Sequence, residues 1–312
     1  MERGEFDIVT GAFGYTGRHI AQRLLAKGHR VKTLTGHPDR PNPLGEQIEV
    51  APFNFDRPRE LVESMRGAGV LYNTYWIRFE KGEKTFDQAV RESKVLFLAA
   101  REAGVSRIVH ISIANPSCRR DLKYYAGKAE LEDFLKQFPL TYAFVRPTVL
   151  FGDEGILINN IAWLLRHLPI FAVPGSGEYG IQPVHVDDVA RIATEAGAID
   201  GNVIVDAVGP ETYTFNELVR LLRQVVHSHA KILHVPPRLM YWMSKPLGIA
   251  LNDVMLTWEE IQGLMAGLLA SSNPPTGRIR LSEWLGEHAQ TIGANYASEI
   301  KRHYASMKSV WG

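Results

Sequence analysis

The chain has 312 residues, which at ~150 residues per domain suggests two domains or one large α/β unit with an appended lobe. Its 45% apolar content is ordinary for a protein with a sizeable core, and 35 Lys plus Arg against 34 Asp plus Glu leave a net charge of +1. That balance excludes the basic footprint of a nucleic-acid binder, and the single cysteine, Cys118, excludes an internal disulfide.

In chain order, 6–10 (FDIVT) reads as a buried strand and 17–27 as a helix, followed by a second strand at 30–35 and a Pro-rich loop. Residues 48–55 form a third strand, 58–65 a helix, 69–72 a fourth strand and 85–103 a long helix ending at Gly104. A fifth strand at 107–112 (RIVHIS), a helix at 123–137 and a sixth strand at 142–146 complete the series. Strands separated by helices at this pitch predict βαβ units, hence a doubly wound parallel sheet of the α/β class. Beyond Gly152 the rhythm breaks. A helix at 156–168, a glycine-bearing loop at 169–183, a strand-to-helix stretch at 184–196 and a strand at 202–208 precede a mostly helical remainder. The expected layout is a nucleotide-binding domain over 1–152 and a smaller lobe over 153–312, with the 202–208 strand a candidate to rejoin the sheet. No apolar run reaches the ~18 residues of a membrane span. The charged start, MERGEFDIVTG, also lacks a signal peptide's apolar segment, so a cytoplasmic protein is expected.

The first strand runs into Thr10-Gly11-Ala12-Phe13-Gly14-Tyr15-Thr16-Gly17, a G-x-x-G-x-x-G turn that opens the first helix. Gly11 permits the tight turn, Gly14 lets backbone approach a pyrophosphate, and Gly17 lets helix pack on strand. The helix N-terminus then receives the anion. Phe13, Tyr15 and Thr16, between the glycines, join the expected cofactor-binding set. At the end of the second strand an acid would select NAD and a basic group the 2′-phosphate of NADP. Here stand Gly36 and His37, with Arg40 beyond and Arg18 on the first helix, which tilts the expectation to NADP, with NAD as the alternative. Asp56 after the third strand is a candidate adenine cap or a turn residue, and Thr74 after the fourth completes the set.

A carbonyl reductase needs a proton donor against the developing oxyanion, and a tyrosine with pKa near ~10 needs a cation nearby to serve at neutral pH. Tyr-x-x-x-Lys places both on one helix face. The spacing occurs as Tyr124/Lys128, Tyr241/Lys245 and Tyr304/Lys308. Only Tyr124/Lys128 opens the helix after the fifth strand, at the cofactor's edge of the sheet, and Ser112 ends that strand.

TGAFGYTG, Ser112, the YYAGK segment holding Tyr124 and Lys128, RPTVLFG (146–152) and VHVDD (184–188) together resemble the short-chain dehydrogenase/reductase superfamily. The likeness is to its extended and atypical branches, the epimerase/dehydratase-like and NmrA-like proteins. The resemblance implies Ser112, Tyr124 and Lys128 at the nicotinamide, with Lys128 also clamping the ribose. The absence of a Thr-Asp-Glu acid pair after Ser112, where Ile113-Ala114-Asn115 follow, speaks against a sugar-nucleotide substrate. Two functions follow as expectations. One is an NAD(P)-dependent oxidoreductase or epimerase acting on a small carbonyl or hydroxyl compound. The other is a non-catalytic, NmrA-like redox sensor or assembly subunit.

Other features weigh less. Trp76, Asn159 and Asn160 are candidate substrate contacts. Asp187-Asp188 reads as a helix cap rather than a metal pair, and His227/His229 lacks companion ligands, so no metal is expected. The apolar stripe Val254, Trp258, Ile261, Met265 and Leu268 reads as core or subunit contact. The 85–103 helix and the helix of Tyr124 are candidate homodimer faces. The expected partner is a small molecule, with neither nucleic acid nor a membrane span.

Overall fold

The computed structural model describes residues 4–300. It divides the chain into two units. The first consists of the chain up to Pro147, Val186–Val208 and Asn273–Gly277; the second consists of Thr148–His185, Gly209–Ser272 and the chain from Arg278 onward.

The first unit carries β1 (Phe6–Thr10), α1 (Tyr15–Ala26), β2 (Val31–Thr35), β3 (Ile48–Pro52), α2 (Pro58–Met65), β4 (Ala68–Asn73), α3 (Phe86–Glu102), β5 (Arg107–Ile111), α4 (Lys123–Leu135) and β6 (Thr141–Pro147). Numbered in chain order, α6 (Val186–Gly197) and β11 (Val203–Ala207) also belong to it. Its seven strands are all parallel, in the order β3-β2-β1-β4-β5-β6-β11. This is the doubly wound sheet expected from the alternation of strands and helices. Strand order reverses between β1 and β4, because the chain builds outward from β1 to β3 and then crosses over to β4. Central strands covered on both faces read as unbroken apolar runs, and every residue of β5 is buried. On one face Leu61, Met65, Leu96, Phe97, Leu131 and Phe144 pack with Ile8, Leu34 and Leu71. Arg107, almost wholly buried at the start of β5, donates to Ala196 O (2.9 Å) and Gly201 O (2.7 Å), tying β5 to the connection between α6 and β11.

The second unit carries β7 (Val149–Phe151), α5 (Ile156–His167), β8 (Ile170–Pro174), β9 (Gly180–Ile181), β10 (Pro183–His185), β12 (Tyr213–Thr214), α7 (Phe215–Val225), β13 (Lys231–Val235), α8 (Pro237–Leu251), α9 (Trp258–Met265) and α10 (Leu281–Glu287). The 169–183 stretch, expected as loop, contains β8 and β9, and the mostly helical remainder contains β12 and β13. These strands pair only two by two, β10 with β7, β12 with β9 and β13 with β8. Segments of two to five residues have no room for an alternating pattern, which is why the sequence hid them. Phe151, Phe171, Phe215, Leu222, Leu285 and Trp284 form the core of this unit. Capping boxes at Thr214/Glu217 and Thr257/Glu260 start α7 and α9. The second of these delays the helix to Trp258, so Val254 of the apolar stripe lies outside it; Ile261 and Leu268 are buried, while Met265 is exposed.

Candidate functional site

The turn after β1 is built by strand-to-strand hydrogen bonds. Thr33 Oγ1 donates to Val9 O (2.9 Å) and accepts from Ala12 N (3.0 Å), while Gly11 N donates to Leu34 O (2.8 Å). Gly11 adopts φ +63°, a left-handed conformation that glycine takes without strain. A Cβ on Gly17 would fall 2.3 Å from Gly11 O, so only glycine lets α1 press this closely on the turn. Gly14 is the N-cap residue of α1, with no side-chain cap and no acid in the first turn. Its leading N–H groups and positive dipole end are therefore left for an anion. The cradle fits a pyrophosphate, and any side chain at position 17 would push α1 off the turn that forms it. Phe13, Tyr15 and Thr16 are half-buried here, and the Tyr15 ring meets His19 edge-on with centroids 5.7 Å apart. Thr74 lies against the same turn: its N–H donates to Thr10 Oγ1 (2.7 Å), its Oγ1 donates to Thr10 O (2.5 Å), and a Cβ on Gly11 would stand 3.6 Å from that Oγ1.

At the end of β2, Gly36 and His37 are exposed. Partial burial, then Arg40, then Lys84 hold the His37 pKa below the ordinary imidazole value. Two cations, Arg40 and Lys84, therefore act on His37 and disfavour its charged form, and Lys84, which arrives from the approach to α3, could not be placed here from sequence. Beside Gly36 lies Phe53, which stacks on Phe55 (4.8 Å) and meets Tyr75 edge-on (5.1 Å), an aromatic floor at the ends of β3 and β4. The sequence reading missed it because single aromatics after two different strands carry no pattern. Asp56 is 85% exposed, with its carboxylate 4.0 Å from Arg57 Nε, as befits a turn residue at the surface.

Ser112 follows β5. Its N–H donates to Val145 O (2.8 Å), and its buried Oγ has no hydrogen-bond partner. Lys128, one turn along α4 from Tyr124, is almost wholly buried. Its Nζ donates to Ile111 O (2.8 Å), one residue before Ser112, and lies 4.4 Å over the Trp76 ring. Burial pulls its pKa down from the ordinary lysine value to about 7, against the opposing pull of Glu132. Tyr124 is half-buried and meets Trp76 and Phe86 edge-on, each at 5.7 Å. Gly127 is what admits Trp76, since a Cβ there would come within 2.8 Å of its ring. Trp76 thus touches both Tyr124 and Lys128, and its own Nε1 is buried without a partner.

Two residues behind this group escaped the sequence reading. Thr10 Oγ1 donates to Asn73 Oδ1 (3.1 Å), and Asn73 Nδ2 donates to His110 Nδ1 (3.1 Å), all inside the sheet. That bond leaves the proton on His110 Nε2, which is buried and unpartnered, and burial first, then Lys128, holds the imidazole well below its ordinary pKa. The signal was present: a histidine in the middle of a buried strand, two residues before Ser112 and therefore on the same face.

The remaining candidates lie elsewhere. Asn159 donates to Asn295 O (2.8 Å) and accepts from Gly293 N (2.9 Å). Asn160 donates to Ala297 O (3.0 Å) and accepts from Ala297 N (2.9 Å), so both amides hold the 293–297 segment within the second unit. Tyr241 and Lys245 lie on α8, and Tyr304 and Lys308 fall outside the described residues. Asp187 lies 2.5 Å from His19 Nδ1, and Asp188 lies 3.3 Å from Arg191. Among the described residues no group of three or more His, Cys, Asp or Glu is placed to hold a metal, and no helix is long and apolar enough to cross a membrane.

Comparison with known proteins accords with this geometry. Residues 11–162 match the NAD(P)H-binding family, which makes the first unit a binding unit for that cofactor class. The mitochondrial NADH dehydrogenase (ubiquinone) 1 alpha subcomplex subunit 9 of Arabidopsis thaliana is 24% identical over 85% of this chain and 71% of its own length. The ceramide reductase of Caulobacter vibrioides is 25% identical over 73% of each chain. The Citrobacter sp. triphenylmethane reductase, solved in complex with NADP(H), shares the fold with a TM-score of 0.74 at 18% identity, covering 91% of this chain and 100% of that one.

Proposed function

We propose that this chain, whose residues 11–162 match the NAD(P)H-binding family and whose fold is that of epimerase and reductase structures, is an NADPH-dependent reductase of a small carbonyl compound of the short-chain dehydrogenase/reductase type. The carrying observation is the buried Lys128, held at Ile111 O one residue from the unpartnered Ser112 Oγ and one helical turn from Tyr124. NADPH over NADH is supported by Arg40 and Lys84 acting on the loop after β2, whose strand end, Thr35-Gly36, carries no acid to accept from a ribose 2′-hydroxyl. The Phe53, Phe55 and Tyr75 floor offers the adenine a stacking face.

Gly11, Gly14 and Gly17 would hold the pyrophosphate of the dinucleotide, whose nicotinamide would supply hydride chemistry. Ser112 Oγ–H donates to the carbonyl oxygen and fixes its position. Tyr124 gives its phenolic proton to that oxygen as charge develops, which completes the alcohol. Lys128, titrating near neutrality, stabilises the phenolate and lets the proton be replaced. Trp76 and Phe86 against Tyr124 favour an apolar substrate over a sugar nucleotide.

Purified protein should oxidise NADPH with members of a panel of ketones, aldehydes and quinones. Tyr124→Phe should lower turnover by about 10²–10⁴-fold while leaving NADPH affinity within about twofold. Full turnover in Tyr124→Phe would place the proton donor elsewhere. A second reading, the non-catalytic sensor or assembly subunit, is favoured by the indole of Trp76 lying over Lys128 and against Tyr124, where it closes off the pair. Tight NADPH binding with no oxidation across the panel would establish it.

A further inference from the structure

Helix α8, PRLMYWMSKPLGIAL, is built inside out. Its inward side carries Tyr241, which meets Trp258 edge-on, and Gly248, its one buried residue, where a Cβ would stand 2.7 Å from Asp253 O. The solvent side should hold the charges of a surface helix. Instead it presents Leu239 (48% exposed), Trp242 (69%), Met243 (51%) and Ile249 (83%), with Pro246 and Ala250 also exposed. Spacings of three, four and seven residues put these side chains on a single stripe. Arg238 and Lys245 run along one edge of that stripe, Lys245 with its ammonium 4.1 Å over the Tyr241 ring. The strand before it also exposes apolar side chains. Leu233 of β13 and Ile170 of β8 are exposed and, by the register Lys231↔Ile170 and Leu233↔Ala172, lie on the same face of the two-stranded sheet.

Charge singles out the occupant. Between Glu217 and Asp253 the chain has no acidic residue, while Arg220, Arg223, Lys231, Arg238 and Lys245 fall in that interval. Over the whole chain 34 acids nearly balance 35 bases, so this segment, with five bases and no acid, is a local exception. A second copy seated on the stripe would set cation against cation with no acid to answer it. An anionic bilayer surface answers both features. Its headgroups pair with Arg238 and Lys245, and its acyl boundary takes up Leu239, Trp242, Met243 and Ile249, with the indole at the depth tryptophan prefers. We propose that the second unit docks peripherally on negatively charged lipid through the outer face of α8, which lies in the plane of the headgroups and does not span.

The test is flotation of the full chain with phosphatidylcholine vesicles in which about a third of the lipid is phosphatidylglycerol, against vesicles of phosphatidylcholine alone. Binding to the anionic vesicles should be at least about 10-fold tighter and should weaken with added salt. The double variant Trp242→Glu/Ile249→Glu should lose at least about 10-fold of it, and Trp242→Phe should keep most of it. Circular dichroism and the thermal melt of the full chain report that the variants remain folded, and substitutions at such exposed positions leave the core untouched. Binding that ignores lipid charge, or that survives the double variant, would overturn the proposal. So would light scattering that shows a dimer dissociated by the double variant, with no vesicle binding by either form.

Discussion

The two units break the inside–outside rule in opposite senses. The first buries what water should hold: Lys128, His110, Asn73, Ser112 and the Glu132–Arg146 pair all lie within or against the sheet. The second exposes what water should reject, the apolar stripe of α8. Polar groups taken out of water must be paired or must be waiting for a partner, and apolar groups left in water signal a surface that is covered elsewhere. In each unit our functional proposals rest on the departure more than on the rule-abiding core.

The sharpest way to break this comparison is to unbalance a buried charge. Arg146 clasps Glu132, donating from Nε to Oε1 at 2.9 Å and from Nη2 to Oε2, and the side chain of Glu132 is almost wholly buried. Arg146→Met should therefore cost about 3–5 kcal/mol by denaturant unfolding, since it strands a buried carboxylate. Gly17→Val comes next. With a Cβ already impossible at 2.3 Å from Gly11 O, the turn must open, which should cost about 1–3 kcal/mol and weaken NADPH binding by at least about 100-fold in calorimetry.

Lys128 sharpens the contrast through pH. Its pKa is lowered to about 7 in the folded state from an ordinary 10.5, so between these values the unfolded chain binds more protons. Its destabilising effect is then full below pH about 7 and fades as pH rises toward 10. Lys128→Met should raise the melting temperature by a few degrees at pH 7, with the gain shrinking toward pH 10, while removing turnover. The smallest effect is expected in the second unit. Trp242→Ser should change stability by less than about 0.5 kcal/mol, because the side chain is already in water, yet it should depress vesicle binding.

Much of the first unit was legible because its signals are local. FDIVT running into TGAFGYTG states a strand, a turn and a helix start within a dozen residues, and RIVHIS followed by YYAGK states the next corner of the sheet. The second unit was harder to read, since β8, β9, β12 and β13 are too short for a period and become strands only by finding one another.

Taken by itself, the sequence determined the order of elements, the glycine turn and which tyrosine and lysine open the helix after β5, all matters of spacing along the chain. Tertiary structure alone decided that Trp76 would lie on Lys128, that Lys84 would join His37 and Arg40, that Glu132 would face Arg146, and that α8 would turn its apolar side outward. These depend on which face of each element meets which neighbour. That choice is made by burial across distant segments, so one segment's pattern does not carry it.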